Sequence, residues 1–329
     1  MPVSIDRRRF LGGLAAAASL GASSAVRASD FPNRPVTLVL PYAPGGSADV
    51  LGRVFAQEMQ ADLGQSVVID FKPGAGGNIG ADWVARQAPS DGYSVLFAAS
   101  SLASSVSLNK LNFDPRKDLR PVAGLAAIPS LMVVSADSPF RTVADVLKAA
   151  RDKPGAITYG SSGLGTGSHL AGELFAAQAG VTLTHVPYRG SGAVYPDLIA
   201  QRIDLLFDVA GSSAGQVKGG RVRALATTAA SRSPAFPEVP TLAESGLPGY
   251  EFETWFGLFV PSAVPDAVRA RLERAALAAL KSKAFNEQLL KSAAVPVPAS
   301  SAAFSRYFEQ DVERWARMVR EGKLAPVNS

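Results

Sequence analysis

Leu40-Pro-Tyr-Ala-Pro-Gly-Gly-Ser-Ala-Asp49 is the stretch whose reading decides the fold. Before it, Val36-Thr-Leu-Val-Leu40 is a β-branched and aliphatic run, which predicts a buried strand. After it, Leu51, Phe55, Met59 and Leu63 recur every fourth residue, the stripe of an amphipathic helix over Ser47–Leu63. Between them stand Pro41, Pro44, Gly45 and Gly46, and then Ser47, a good N-cap residue. A strand ends, a stiff loop turns, and a helix begins with unpaired backbone N–H groups facing whatever lies above the strand. The glycines let a ligand approach the backbone closely. An anion site built from amides and a helix dipole has this pattern, without a cationic side chain. An ordinary strand-to-helix turn has it too.

Working outward, the alternation continues. Val67–Asp70 reads as a strand, and Lys72-Pro-Gly-Ala-Gly-Gly-Asn-Ile-Gly80 as a loop with four glycines. A helix through Trp83 and Val84 and a strand Ser94–Ala98 come next. This β-α-β-α-β order predicts a parallel sheet with helices on its faces and ligands at the carboxyl ends of its strands. Ser100 and Ser101 fall just past one such end. The glycine loop is not a Walker loop, since no Gly-Lys-Ser/Thr follows, and Ile79 stands where the third glycine of a dinucleotide fingerprint belongs.

Asp118–Ser135 is a long, mostly apolar extended stretch that could cross from one lobe to another. A second α/β unit then starts with a helix over Val143–Ala150 and a strand over Ile157–Tyr159. That strand runs into Gly160-Ser-Ser-Gly-Leu-Gly-Thr-Gly-Ser-His169 and a helix to Ala179, repeating the logic of the opening stretch. The G-x-S-x-G nucleophile elbow fails at Ser161 and Ser162, and the only later histidine, His185, reads as a buried strand residue. Val186-Pro-Tyr-Arg-Gly-Ser-Gly192 echoes the first loop, with Arg189 either clamping a carboxylate or simply solvated. A helix over Ala193–Gln201 and a strand Ile203–Phe207 lead to Asp208, which would accept a ligand hydroxyl or amine or hold a neighbouring loop. A strand Val222–Thr227 and a short capped helix over Val239–Gly246 follow. The aromatic strand Glu251–Val260 would return the chain to the first lobe. Three helices close it, the last striped by Phe304, Phe308, Val312, Trp315 and Val319.

The 329 residues suffice for two domains, and a hydrophobic share of 47% suits a substantial core. The net charge of +5 is concentrated at the start, where Arg7, Arg8, Arg9 and Arg27 stand against Asp6. The remainder carries about +2, too mild to predict nucleic-acid binding. No cysteine is present, which excludes disulfides and thiolate metal sites, and His169 and His185 are too few for a histidine-rich metal centre. Residues 1–28 read as an export signal. Arg7-Arg8-x-Phe10-Leu11 resembles a twin-arginine motif, an Ala/Gly/Leu run follows, and Val26-Arg27-Ala28 offers a cleavage site. A general secretory signal is the rival reading, and either route leads to a bacterial periplasm.

Eight stretches together resemble one family: LPYAPGGSAD, KPGAGGNIGAD, DGYSVLF, GSSGLGTGSHL, VPYRGSG, GGRVRALATT, FPEVPTLAESG and ETWFGLFVPSAVP. They are similar, in order, to the periplasmic solute receptors of the tripartite tricarboxylate transporter system, the TctC or Bug family. The resemblance implies an α/β, two-lobed type II periplasmic binding protein, each lobe a mainly parallel sheet flanked by helices, joined by two crossovers. Residues 29–128 and 252–329 would form lobe 1, and residues 129–251 lobe 2. The implied function is capture of a small carboxylate or dicarboxylate and delivery to a membrane permease, by a monomer with neither cofactor nor metal. A periplasmic sensor and, further off, a serine hydrolase are the alternatives. Carried onto matching positions, the family pattern places ligand contacts at Tyr42, Pro44, Gly45, Gly46 and Ser47, with Asp49 beside them. Ser100 and Ser101 join from the first lobe, and Ser161, Ser162, Gly165, Thr166 and His169 from the second, with Tyr188 and Asp208 nearby.

Overall fold

A computed structural model describes residues 31–324 and residue 326; the export segment at 1–28 lies outside them. The strand and helix flanking the opening loop form as the periodicity predicts: β1 (Val36–Leu40), then α1 (Ser47–Leu63). All four stripe residues of α1 are buried, and Gly64 ends the helix in the left-handed region at φ 69°, its N–H bonding Gln60 O. The chain continues through β2 (Val67–Phe71), α2 (Asn78–Arg86), β3 (Ser94–Ala99), α3 (Ser101–Leu108) and the one-turn α4 (Pro115–Asp118). Next come β4 (Leu119–Ser135), α5 (Val143–Asp152), β5 (Thr158–Ser161), α6 (Gly167–Ala179), β6 (Thr184–Pro187) and α7 (Ser191–Ile199). Then follow β7 (Leu205–Val209), α8 (Ala210–Lys218), β8 (Val222–Thr227) and β9 (Glu253–Pro261). Helices α9 (Asp266–Leu280), α10 (Lys283–Lys291) and α11 (Ser301–Arg320) complete it.

Two parallel triads organise the nine strands. β2-β1-β3 are mutually parallel, as are β6-β5-β7. Between them runs β4, whose 17 residues reach about 55 Å at ordinary strand rise. Its first part pairs antiparallel with β9, and β9 with β3; its last part pairs antiparallel with β7 and β8. Each triad is thus joined by antiparallel partners into one mixed sheet. Register shifts between Pro121 and Ala123 and between Gly124 and Ala126 bend β4 along the way. At the junction, Thr228 Oγ1 accepts from Ser130 N at 2.7 Å and donates to Phe252 O at 2.6 Å, tying the two crossing segments together.

The core follows the faces of this sheet. Successive residues alternate between two apolar clusters: Leu38 and Val39, Val95 and Leu96, Leu131 and Met132 each divide between them. α11 lays Phe304, Phe308, Val312 and Trp315 onto one face, and Phe304 and Phe308 meet the ring of Trp255 edge-on.

One expected element is absent. Val239–Gly246 forms turns, not a helix. The N-terminal signature is real: Thr241 Oγ1 accepts from Glu244 N at 3.0 Å, and Glu244 Oε2 from Thr241 N at 2.8 Å. Gly246 at φ 104° and Pro248 stop the chain after that single turn.

Candidate functional site

Among the described residues, every helix that begins at the carboxyl end of a parallel strand lacks a side-chain N-cap, whereas all but one of the other helices have one. α4, α5, α10 and α11 have side-chain N-caps, from Asp114, Thr142, Ser282 and Ser300; α9, which opens after Pro265, has none and does not follow a parallel strand. α1, α2 and α3, which follow β1, β2 and β3, have none; neither do α6, α7 and α8, which follow β5, β6 and β7. Three uncapped N-termini therefore come from each triad, at the strand ends where α/β sheets bind ligands.

These ends face one another. A Cβ placed on Gly76, between β2 and α2, would stand 2.8 Å from the carbonyl oxygen of Leu164, between β5 and α6. Gly190, before α7, lies against Ala43 of the opening loop, and Gly211 of α8 against Ser47 Oγ. Gly167, the first residue of α6, lies against Thr254 Oγ1 of β9. The loops at 41–49 and 160–169 thus border one cleft, linked through Tyr42, Gly77 and Gly76, and the structure holds that cleft with its walls in contact. A separate cavity of about 420 Å³, lined by Arg116, Arg269, Glu273 and Glu309 among others, lies at the start of β4 between α9 and α11 and touches none of the predicted residues.

In the first loop, Gly45 takes φ 88°, which a side chain would strain, and Pro44 and Gly45 are exposed. Asp49, 7% exposed, shapes the loop from the first turn of α1: its Oδ2 accepts from Gly45 N at 2.8 Å. Arg53 Nε lies 2.6 Å from the other oxygen as an ion pair, without hydrogen-bond alignment. Tyr42 sits beneath the loop. Its hydroxyl accepts from Ala99 N at 2.9 Å and meets Ser101 Oγ at 3.0 Å, and burial pushes its pKa up to about 12. The hydroxyls of Ser47, Ser100 and Thr254 are buried without a hydrogen-bond partner among the described residues.

In the second loop, Ser162, Thr166 and Ser168 bring three hydroxyls within 2.8–3.1 Å of one another, and Ser168 Oγ also accepts from Ser162 N at 2.8 Å. Gly165, at φ 74°, donates its N–H to His169 Nδ1 at 3.2 Å. Burial lowers the His169 pKa to about 4, and burial together with the neighbouring His169 ring does the same to His185. Both imidazoles are therefore neutral at physiological pH. His185 is half-buried rather than buried as expected, because β6 lies at the sheet edge, and its Nε2 stands 2.6 Å from Ser161 Oγ. Ser161 itself is 0% exposed, and its hydroxyl also bonds the peptide of Gly163.

Two predicted residues point their polar atoms into the scaffold. Tyr188 donates its hydroxyl to Asp197 at 2.7 Å. Asp208, 0% exposed, accepts from Ser191 and Tyr195, one hydroxyl on each oxygen, and from Ser212 on the second, at 2.6–2.7 Å. Burial raises its pKa, and those hydroxyl donors oppose the rise. Asp208 thus ties together the first turns of α7 and α8, the loop-holding alternative of the sequence reading. Arg189 is exposed at the rim. Sequence reasoning missed Ser168, Gly211 and Thr254. Ser168 was within the motif and needed only a count of hydroxyls; Thr254 carried no signal, being one polar residue in an aromatic strand.

A cleft between two α/β halves, walled by uncapped helix N-termini, is the arrangement expected of a solute receptor. The family model described as "Tripartite tricarboxylate transporter family receptor" matches residues 51–324. The chain belongs to that family. It is 40% identical over 323 residues to a Pseudomonas sp. (strain P51) protein described as "UPF0065 protein in tcbD-tcbE intergenic region", covering 98% of this chain and 96% of the relative. Among solved structures, R. palustris Rpa4515 with adipate superposes with a TM-score of 0.84 at 35% identity, over 91% of this chain and 100% of that one. MatC from Rhodopseudomonas palustris, with bound malate, gives 0.83 at 30% identity, over 88% and 100%. Receptors of this family are periplasmic binding proteins with two lobes, and the fold described above is theirs.

Proposed function

We propose that this chain captures a small carboxylate or dicarboxylate between its lobes in the periplasm and delivers it to a tripartite tricarboxylate-type permease, without catalysing a reaction. The observation that carries this reading is the set of six uncapped helix N-termini, three from each triad, meeting across one cleft. Each presents unpaired N–H groups and the positive end of a helix dipole to an anion. Desolvation at such a site is modest, and a closed cleft of lower dielectric strengthens every bond made there. Adipate and malate in two solved structures of similar chains support the ligand class. In this reading, residues 29–128 and 252–329 move as one body against 129–251, and Tyr42, Gly45, Gly46, Ser47, Ser100, Ser101, Ser162, Gly165 and Thr166 surround the ligand. Residues 1–28 direct export by a twin-arginine-like signal, and the mature chain works as a monomer.

The Ser161–His185 contact is the feature closest to a hydrolase, but the Ser161 hydroxyl is turned into its own loop, where it donates to Gly163 O and accepts from Gly163 N. A thermal-shift panel of aliphatic and aromatic mono- and dicarboxylates, followed by calorimetry on the compounds that shift, tests the receptor reading. A rise in melting temperature with unchanged compound supports it. Product formation that disappears in Ser161→Ala contradicts it.

A further inference from the structure

The second crossover strand carries one polar residue into the cleft. Thr254 is 5% exposed, stands one residue inside β9, and pairs with Ile128 of β4 where both strands pass between the lobes. By strand alternation it shares a face with Phe256 and Leu258, both buried in the core. Packing alone would be served as well by valine, which has the same shape. The hydroxyl makes no hydrogen bond among the described residues. A buried hydroxyl left in that condition costs about 1–3 kcal/mol, so its presence calls for a partner that arrives from outside the chain.

The surroundings say what that partner is. Thr254 Oγ1 lies against Gly167, the first residue of the 13-residue α6, so closely that a Cβ there would overlap it. It thus faces an uncapped helix N-terminus, where the N–H groups of the opposite lobe are also unpaired. Ser100, whose N–H bonds the carbonyl of the neighbouring Trp255 at 3.0 Å, carries a second hydroxyl that is buried and unpartnered among the described residues. Donors from two lobes converge there, with no carboxylate among these contacts. An anionic oxygen at the N-terminus of α6 satisfies the Thr254 hydroxyl and the unpaired N–H groups together.

We propose that Thr254 is a specificity-determining residue of the receptor: its hydroxyl donates to a ligand carboxylate oxygen seated at the N-terminus of α6. Gly167 is glycine because only a bare Cα lets the Thr254 hydroxyl reach that place when the lobes meet. The proposal rests on the carboxylate-receptor reading and adds one residue to it.

Thr254→Val and Thr254→Ser separate the possibilities when studied in the mature chain by thermal unfolding without ligand and by calorimetric titration with malate and with adipate. Thr254→Val keeps the shape and removes the hydroxyl, so the ligand-free melting temperature should hold or rise slightly. Affinity for whichever dicarboxylate the wild type binds should fall about tenfold or more, the loss of one hydrogen bond to a charged group. Thr254→Ser should stay within about threefold of wild type. Unchanged affinity in Thr254→Val overturns the proposal while the receptor reading stands. A ligand-free melting temperature lowered by several degrees in Thr254→Val would also overturn it, since the hydroxyl would then have a structural partner. A wild-type chain that binds no carboxylate of the wider panel removes the receptor reading and this proposal together.

Discussion

Removing Asp208 should cost fold stability before it costs ligand recognition. Its carboxylate accepts from Ser191, Tyr195 and Ser212 at 2.6–2.7 Å with no exposed surface. Hydrogen bonds to a charged group contribute about 1.5–3 kcal/mol each, or roughly 5–9 kcal/mol for three. Alanine also relieves the burial of a carboxylate, which offsets several kcal/mol. The net loss expected for Asp208→Ala is about 3–5 kcal/mol, the usual result of removing one partner from a buried charged network. For a chain of this size that lowers the melting temperature by roughly 6–15 °C. Asp208→Asn keeps one acceptor oxygen and removes the buried charge, so about 1–2 kcal/mol should be lost. Urea and thermal unfolding followed by circular dichroism measure both variants. A melting temperature for Asp208→Ala within about 2 °C of wild type, with ligand binding abolished, would refute the scaffold assignment and return Asp208 to the ligand's contacts.

Stability should fall on acidification. His169 is held neutral with its pKa near 4 against 6.5 in the unfolded chain, so the unfolded state binds the extra proton between those values. Unfolding free energy should therefore be complete above pH 6.5 and decline by about 3 kcal/mol towards pH 4, a slope that His169→Gln reduces in chemical-denaturation series. Gly76→Ala should weaken ligand binding at least tenfold on calorimetry, because its Cβ would press on Leu164 O across the cleft and φ 65° disfavours a side chain; small-angle scattering should show the lobes failing to close on ligand. Tyr42→Phe leaves Ala99 N–H without its acceptor and should cost about 1–2 kcal/mol in urea unfolding.

Much of the scaffold is written locally. The residues of β1 and α1 announce themselves by period, although Gly46 and not Ser47 takes the N-cap position, and β4 by an extended apolar run. The cleft loops stand out as glycine and hydroxyl clusters at strand ends, a pattern that ordinary strand-to-helix turns share. What escaped depends on pairing. The Ser161–His185 contact exists because β5 and β6 lie side by side with Tyr159 opposite His185, a register no single segment encodes. Thr254 sits in a strand whose Trp255 and Phe256 read as core, and only the arrival of α6 from the other lobe gives its hydroxyl a setting. Thr241 to Gly246 erred in the opposite sense: a true capping signature begins a helix there, but Gly246 and Pro248 end it at once.

The central claim is that neutral dipoles, not cationic side chains, hold the anion. Titrating residues 29–329 with malate and adipate in 0.05 M and 0.5 M sodium chloride tests it most directly. Amides and hydroxyls in a closed cleft are screened little by salt, so the dissociation constant should change by less than about threefold. A tenfold or greater loss of affinity at high salt would mean that exposed charges such as Arg189 do the binding, and would contradict the account.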